Sequence, residues 1–174
     1  MKLKKFNFKK IKSTNDTAIR LIKEGEESGV ISAETQTKGK GQRGNKWISN
    51  KGNLFMTIFF SISNKFSLKK LTSINLSILK KIIANQIKIK TTVKLPNDIL
   101  IYKKKVCGIL QEIIFKNNVK YLIVGVGINI ISSPDIKNYP TTYLNKYSKK
   151  KINKIKLINE IKLIFEKKYK DKLL

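Results

Sequence analysis

The residues best suited to chemistry lie in one short stretch, Gln36 to Trp47, which reads QTKGKGQRGNKW. Glycine lets backbone N–H groups converge on one point without a Cβ in the way, and cationic side chains attract a phosphate or a developing anion. The stretch therefore predicts a phosphate-binding loop, with a flexible basic surface loop as the alternative. It matches neither the Walker motif nor the dinucleotide-binding fingerprint. The residues concerned are Gly39, Gly41, Gly44, Lys38, Lys40, Arg43 and Lys46.

The sequence lacks histidine, and Cys107 is its one cysteine. Within these 174 residues, Ser-His-Asp triads, histidine-ligated zinc, histidine general bases and an internal disulfide are therefore excluded. Chemistry must come from lysine, arginine, carboxylates, hydroxyls and backbone amides. We interpret Cys107 as a small buried strand residue and not as a nucleophile.

The charge is strongly basic, with 38 Lys and Arg residues against 11 Asp and Glu and a formal net charge of +27. Such a charge raises nucleic-acid binding as a hypothesis. The cations are nearly all lysines spread along the chain, with Arg20 and Arg43 the two arginines, and this favours biased base composition over a selected binding face. We expect no specific nucleic-acid partner, although weak, salt-sensitive contacts stay open.

Length and hydropathy predict one soluble domain over residues 1–174, with a core over 1–131 and a C-terminal loop and helix over 132–174. No apolar run approaches the roughly 18 residues of a membrane span, and the first residues lack the apolar segment of a signal peptide. We therefore expect a cytoplasmic protein without a membrane partner.

Apolar periodicity predicts three helices and seven strands. Their order indicates an α+β domain in which a mixed, largely antiparallel sheet carries helices gathered on one side. The segment 53–60 is nearly all apolar and predicts a central strand, and Lys116-Asn117-Asn118 predicts a hairpin turn. Helices are predicted from near Thr14 to Gly29 and over 67–86 and 152–174, and strands over 6–11, 30–34, 53–60, 93–95, 99–102, 106–115 and 119–131.

Two further groups of residues suggest a ligand. Ser13, Thr14 and Asn15 stand where the first helix begins, so they predict either helix capping or ligand binding, and the two are compatible. Gly125 and Gly127 interrupt an apolar strand, which is unfavourable unless a ligand or another backbone comes close.

Five motifs follow one another along the chain, and in this order they resemble the catalytic domain of biotin protein ligase over about residues 11–131. The resemblance implies a fold like that of class II aminoacyl-tRNA synthetases. It implies that biotin's carboxylate attacks the α-phosphate of ATP, with Mg²⁺, to give biotinyl-5′-AMP, and that a lysine of the biotin carrier domain of acetyl-CoA carboxylase then takes the biotin. The motifs are Ser13-Thr14-Asn15, Gln36 ahead of GKGQRGNKW, KLPND at 94–98, KKVCGIL at 104–110 and GVGIN at 125–129.

The resemblance also implies a role for each matching residue. Lys105 and Lys40 would be catalytic, with Lys105 contacting the biotin carboxylate and the α-phosphate. Gly108 and Gly127 would let backbone approach the ligand, and Asp98 would lie near Mg²⁺. Biotin and its adenylate would be held by Ser13, Thr14, Asn15, Gln36, Lys40, Gly41, Gln42, Lys105 and Gly108. The nucleotide side would be formed by Arg43, Asn97, Asp98, Gly127 and Asn129.

Simpler interpretations remain for two of these roles. Lys105 could be one more member of a solvated lysine run, and Asp98 after Pro-Asn could be a turn residue. We expect Trp47 to anchor the end of the loop and not to touch the adenine.

The chain departs from the family pattern in its loop, where Lys40, Gln42 and Asn45 occupy positions that are often arginine. Lysine lacks the planar fork of arginine and glutamine lacks its charge, so we expect looser retention of the adenylate. The sequence also shows neither an N-terminal helix-turn-helix nor the family's small C-terminal β-domain, and we expect no repressor role. A homodimer stays open.

Three alternatives remain. A lipoate or octanoate ligase shares the fold and the adenylation logic, but this chain lacks the R-R-x-S-G-G-G segment typical of lipoate ligases. A basic nucleic-acid-binding module would be favoured by charge alone. The third alternative is an inactive ligase.

Overall fold

The structure is a computed structural model that describes residues 2–170. Its central strand, β3 (Leu54–Ser61), is buried at every position but the last. β3 runs antiparallel to β2 (Ser28–Gln36) on one side and to β7 (Val119–Ile128) on the other. A strand that is apolar at successive positions needs a cover on both faces of the sheet. The prediction of a buried central strand is therefore confirmed.

The sheet has seven strands in the order β1-β2-β3-β7-β6-β5-β4. β1 and β2 are parallel, whereas the five remaining neighbouring pairs are antiparallel, which confirms a mixed, largely antiparallel sheet. The hairpin between β6 and β7 turns through Asn117 and Asn118, whose φ angles of 48° and 61° suit asparagine. The remaining strands are β1 (Lys4–Ile11), β4 (Thr92–Lys94), β5 (Asp98–Ile101) and β6 (Lys104–Lys116).

Three helices cover both faces of the sheet: α1 (Thr14–Glu24), α2 (Leu68–Ile87) and α3 (Lys154–Lys168). Helices α2 and α3 pack with Met56 and Ile58 of β3, whereas α1 packs with Phe59 on the opposite face. The α+β class is thus confirmed, but the expectation that the helices gather on one side is wrong. The physical reason is that β3 is apolar on both faces, so each face must be covered.

Helix α1 is shorter than predicted. It ends at Glu24 because Gly25 adopts a left-handed conformation, with φ 110°, and donates its N–H back to the Ile22 carbonyl. The prediction that the helix continues to Gly29 is wrong, since β2 already begins at Ser28. The short helix covers part of its face of the sheet and leaves the neighbouring part open.

The C-terminal helix packs into the main hydrophobic core. α3 begins after its N-cap Asn153 and buries Leu157, Ile161 and Phe165. The predicted extension of this helix to residue 174 lies partly outside the described residues. Within residues 2–170, none of the helices combines the length and the apolar character that crossing a bilayer requires.

Candidate functional site

The open part of the sheet beside α1 forms the floor of a cleft of about 450 Å³. The floor contains Gly108 of β6 and Gly125 and Gly127 of β7, and Gly108 pairs with Gly127 across the two strands. A Cβ added at Gly127 would lie 2.4 Å from the Trp47 ring, and one at Gly125 would lie 2.3 Å from Asn15 Oδ1. The glycines that interrupt the apolar strand therefore leave room for two side chains, where the sequence predicted a ligand or another backbone.

Hydroxyl and amide groups meet at one end of the cleft. The Ser13 hydroxyl accepts a hydrogen bond from the Asp16 N–H, so it caps α1. Thr14 donates both its N–H and its hydroxyl to Gln36 Oε1, at 2.8 and 3.0 Å, and Gln36 Nε2 in turn donates to the Ser49 hydroxyl at 3.1 Å. Because Ser13, Thr14 and Gln36 also line the cleft, capping and cleft formation are compatible. We name this group the polar end of the cleft.

Asn15 joins the polar end to the sheet. Its Oδ1 accepts from the Thr57 hydroxyl at 2.6 Å, and its Nδ2 donates to Glu112 Oε2 at 2.6 Å and to the Leu110 carbonyl at 3.3 Å. The side chain is almost completely buried, so these bonds fix its orientation. Sequence reasoning missed Thr57 and Glu112, although a polar residue inside each of two apolar strands was the available signal.

Lys105 lies toward the other end of the cleft, where it pairs with Asp98. Lys105 Nζ is 2.9 Å from Asp98 Oδ1, and the two side chains are 18% and 10% exposed. The ammonium also lies 5.2 Å from the centre of the Trp47 ring and 5.5 Å from that of Tyr139. This Lys105 is half-buried and held by a carboxylate and two rings, which is unlike a member of a solvated lysine run.

Tyr139 completes this group and was not predicted. Its hydroxyl donates to Asp98 Oδ2 at 2.5 Å. Burial and the neighbouring Asp98 carboxylate raise the pKa of the Tyr139 phenol well above its usual range, so the hydroxyl keeps its proton. Tyr139 lies in an irregular segment with no regular spacing, so the sequence offers no signal for it.

The glycine-rich stretch folds into a hydrogen-bonded loop along one wall of the cleft. The Gly41 N–H donates to the Asn45 carbonyl at 2.7 Å, and the Trp47 N–H donates to the Gly39 carbonyl at 2.9 Å. Gly44, with φ 77°, permits the turn. Lys40, Gly41, Gln42 and Arg43 all line the cleft.

Two side chains of this loop have distinct surroundings. A hydrogen bond from Lys40 to the carboxylate of Asp16 raises the pKa of the lysine above its ordinary value. Trp47 lies over the glycine floor, and its indole N–H is buried without a hydrogen-bond partner among residues 2–170. A ligand with an acceptor at that point could satisfy this donor.

The predicted nucleotide-side residues separate into two groups. Asn97 and Asp98 line the cleft with Arg43 and Gly127, and Asn97 Nδ2 donates to the Ile109 carbonyl at 3.0 Å. Asn129 does not line the cleft. It is buried behind it, where Nδ2 donates to the Thr142 carbonyl at 3.1 Å.

A resident metal ion does not fit these residues. Both oxygens of Asp98 are already engaged, one by Lys105 and one by Tyr139. The described residues contain no group of three or more Cys, Asp or Glu side chains that could hold a cation. Any Mg²⁺ would therefore have to arrive bound to the phosphates of a nucleotide. Cys107 is fully buried and burial raises the pKa of its thiol, so it is no nucleophile.

The chain belongs to the Biotin/lipoate A/B protein ligase family, whose model matches residues 7–129. It is 33% identical to the bifunctional ligase/repressor BirA of Bacillus spizizenii over 171 residues, covering 92% of this chain and 52% of that protein. It is 29% identical to the biotin--[acetyl-CoA-carboxylase] ligase of Paracoccus denitrificans, covering 71% of this chain and 53% of that ligase.

The chain thus spans about half the length of the curated relatives it matches. Among solved structures, the biotin protein ligase of Aquifex aeolicus in complex with biotin and ATP superposes with a TM-score of 0.77 at 25% identity, covering 98% of this chain and 73% of that one. The biotin complex of the Leishmania major ligase gives the same TM-score and identity over 92% of this chain and 73% of that one. The resemblance to the catalytic domain of biotin protein ligase is therefore confirmed.

Proposed function

We propose that the chain activates biotin with ATP and transfers it to a lysine of a biotin carrier domain, that of acetyl-CoA carboxylase. The names of its relatives support this function, since the Paracoccus protein is a biotin--[acetyl-CoA-carboxylase] ligase and the Aquifex structure contains biotin and ATP. The observation that carries the proposal is the cleft itself. One glycine-floored cavity joins a polar end to a half-buried lysine and a basic loop.

The polar end is suited to the ureido ring of biotin. That ring has one carbonyl acceptor and two N–H donors, and it must exchange its hydration for protein hydrogen bonds when it is buried. Ser13, Thr14 and Gln36 supply hydroxyls, an amide and backbone groups at this end of the cleft. Asn15 would orient the others, because its own amide is held by the sheet.

In the first step, the biotin carboxylate attacks the α-phosphorus of ATP, the P–O bond to pyrophosphate breaks, and biotinyl-5′-AMP forms. Two unit negative charges held about 4 Å apart repel by about 4 kcal/mol at an effective dielectric constant near 20, which is worth about 10³ in rate. Lys105 would offset this repulsion between carboxylate and phosphate, and Lys40 and Arg43 would add positive charge from the loop. Mg²⁺ enters with the ATP phosphates as part of the substrate.

In the second step, the unprotonated ε-amine of the carrier lysine attacks the carbonyl carbon of the adenylate. The bond between that carbon and the AMP oxygen breaks, an amide forms, and AMP and one proton are released. The glycine floor and the loop would hold the adenylate in place until the carrier lysine arrives. The reaction would thus depend on holding the adenylate and the carrier lysine close together, and it would need no histidine base.

Lipoate or octanoate activation is the rival within the same family. A lipoate-bound structure, LipL1 of Plasmodium falciparum, shares the fold at a TM-score of 0.50 and 18% identity. The polar end of the cleft favours biotin over these acids, because the ureido ring of biotin can hydrogen-bond its hydroxyls and amides, whereas the apolar tails of lipoate and octanoate would displace water from these groups without hydrogen-bonding them.

The test is transfer of biotin to a purified carrier domain with ATP and Mg²⁺, comparing the wild type with Lys105→Ala. We expect at least about a tenfold loss of kcat/KM, or about 1.4 kcal/mol, because Lys105 offsets charge in the transition state. Lys104→Ala is the matched control, since Lys104 is the exposed neighbour on the same strand and does not line the cleft.

Equal rates for the wild type and Lys105→Ala would contradict the site. Transfer of lipoate or octanoate in place of biotin would contradict the substrate.

A further inference from the structure

The backbone that follows Tyr139 is hydrogen-bonded to both the N–H and the carbonyl of Lys105. The segment 132–141 follows β7 and crosses beside the cleft, where Ile136 and Tyr139 line it. The Lys105 N–H donates to the Pro140 carbonyl at 2.9 Å, and the Thr142 N–H donates to the Lys105 carbonyl at 2.8 Å. These two hydrogen bonds fix the backbone next to Tyr139 beside that of Lys105.

The tyrosine hydroxyl and the lysine ammonium share one carboxylate. Asp98 Oδ1 lies 2.9 Å from Lys105 Nζ, and Asp98 Oδ2 accepts from the Tyr139 hydroxyl at 2.5 Å. Since the side chains of Lys105 and Asp98 are 18% and 10% exposed, water competes little for these atoms. One carboxylate oxygen is thus ion-paired with the lysine, and the other is hydrogen-bonded by the tyrosine.

The tyrosine ring adds a second constraint. Its centre lies 5.5 Å from Lys105 Nζ and 4.2 Å from Lys94 Nζ, and both lysines line the cleft. The Trp47 ring lies 5.2 Å from Lys105 Nζ. The ammonium of Lys105 therefore lies near two aromatic rings and one carboxylate, and these contacts restrict where it can point.

We propose that Tyr139 is a positioning residue for Lys105. By occupying Asp98 Oδ2, the hydroxyl leaves the lysine a single carboxylate oxygen, and it draws part of the negative charge of Asp98 to itself. Asp98 then competes less strongly with the substrate anion for the ammonium. This inference rests on the proposed function in one respect: the anion that Lys105 binds is taken to be the carboxylate of biotin.

The proposal predicts a specific defect in Tyr139→Phe. The phenylalanine keeps the ring and its contacts with both lysines but leaves Asp98 Oδ2 without its donor. Asp98 then turns both oxygens toward Lys105 and holds the ammonium away from the substrate carboxylate. Binding of the acid should weaken while binding of the ureido end stays the same.

The experiment is calorimetric titration of the wild type and Tyr139→Phe with biotin and with biotinol, in which an alcohol replaces the carboxylate. We expect Tyr139→Phe to bind biotin about tenfold more weakly, the effect of one hydrogen bond to a charged group, and to bind biotinol as the wild type does. Tyr147→Phe is the matched control. It loses a hydroxyl that hydrogen-bonds Thr142 at 3.1 Å, near the same segment but outside the cleft lining.

Two results would overturn the assignment: unchanged biotin affinity in Tyr139→Phe, or equal weakening for biotin and biotinol, which a merely structural role would cause. Absence of biotin binding by the wild type would instead contradict the proposed function. In that case crystal structures of the two ligand-free proteins decide the role of Tyr139. A displaced Asp98 carboxylate and Lys105 ammonium in Tyr139→Phe support it, and unmoved groups overturn it.

Discussion

Gly125 is the position where a single methyl group should most disturb the cleft. A Cβ added there would lie 2.3 Å from Asn15 Oδ1, 3.0 Å from its Cγ and 3.1 Å from its Nδ2. Asn15 cannot simply turn aside, because it accepts from Thr57 and donates to Glu112 and the Leu110 carbonyl. Gly125→Ala must therefore push α1 from the sheet or break hydrogen bonds of Asn15.

The expected loss of stability is the sum of two costs, overpacking by the added methyl group and a lost hydrogen bond of Asn15. Overpacking by one methyl group in a filled interior costs about 2 kcal/mol, and one lost hydrogen bond of Asn15 adds about 1 kcal/mol. We expect Gly125→Ala to lower the free energy of unfolding by about 3 kcal/mol. Urea denaturation measures this as a lower midpoint with an unchanged slope. Because Asn15 supports the polar end of the cleft, the variant should also bind biotin more weakly.

A double-mutant cycle separates the clash from other causes. In the Asn15→Ala background the methyl group at Gly125 meets no side chain of residue 15 beyond its Cβ, so Gly125→Ala should cost much less there. Gly127→Ala is a useful comparison, because its Cβ would meet the Trp47 ring and not Asn15. A loss below about 0.5 kcal/mol in Gly125→Ala, or an equal loss in both backgrounds, would refute the packing described here.

Two further predictions concern acid stability and retention of the adenylate. Burial opposes ionisation of Glu166, but hydrogen bonds from Lys162 and the Leu3 N–H outweigh it and lower the carboxyl pKa below its ordinary 4.5. The ionised Glu166 therefore stabilises the fold above pH 4.5, and this stabilisation is lost as the pH falls through the lowered pKa. In urea titrations at neutral pH, Glu166→Gln should be about 1 kcal/mol less stable than the wild type, and in acid the two stabilities should converge. Gln42→Arg, which adds a charge to the loop wall of the cleft, should slow release of bound biotinyl-5′-AMP in a filter-binding chase, and an unchanged off-rate would contradict the expectation of looser retention.

The strands and the floor of the cleft follow from local patterns. A short apolar run rich in strand-forming residues, such as β3, indicates a buried strand, and Asn117-Asn118 specifies the hairpin between β6 and β7 by backbone preference. Gly125 and Gly127 were informative for a related reason, since glycine is unfavourable in a buried strand unless something must come close. The residues predicted to bind the ligand accordingly lie around one cleft, apart from Asn129.

The missed features depend on contacts between distant parts of the chain. Tyr139 meets Asp98 across 41 positions, and Thr57 meets Asn15 across 42. No local pattern encodes such pairs, and the irregular segment that carries Tyr139 has no periodicity to read. The placement of helices on both faces could have been inferred, because β3 is apolar at consecutive positions and not at alternating ones.

The most direct test of the central claim is formation of the adenylate without any carrier protein. The purified chain, ATP, Mg²⁺ and biotin are incubated, and biotinyl-5′-AMP and pyrophosphate are measured by mass spectrometry and a coupled assay. The proposed function predicts equal amounts of both products from the wild type and at least about tenfold slower formation by Lys105→Ala. Formation of lipoyl- or octanoyl-adenylate with biotin inert, or no adenylate from any of the three acids, would contradict it.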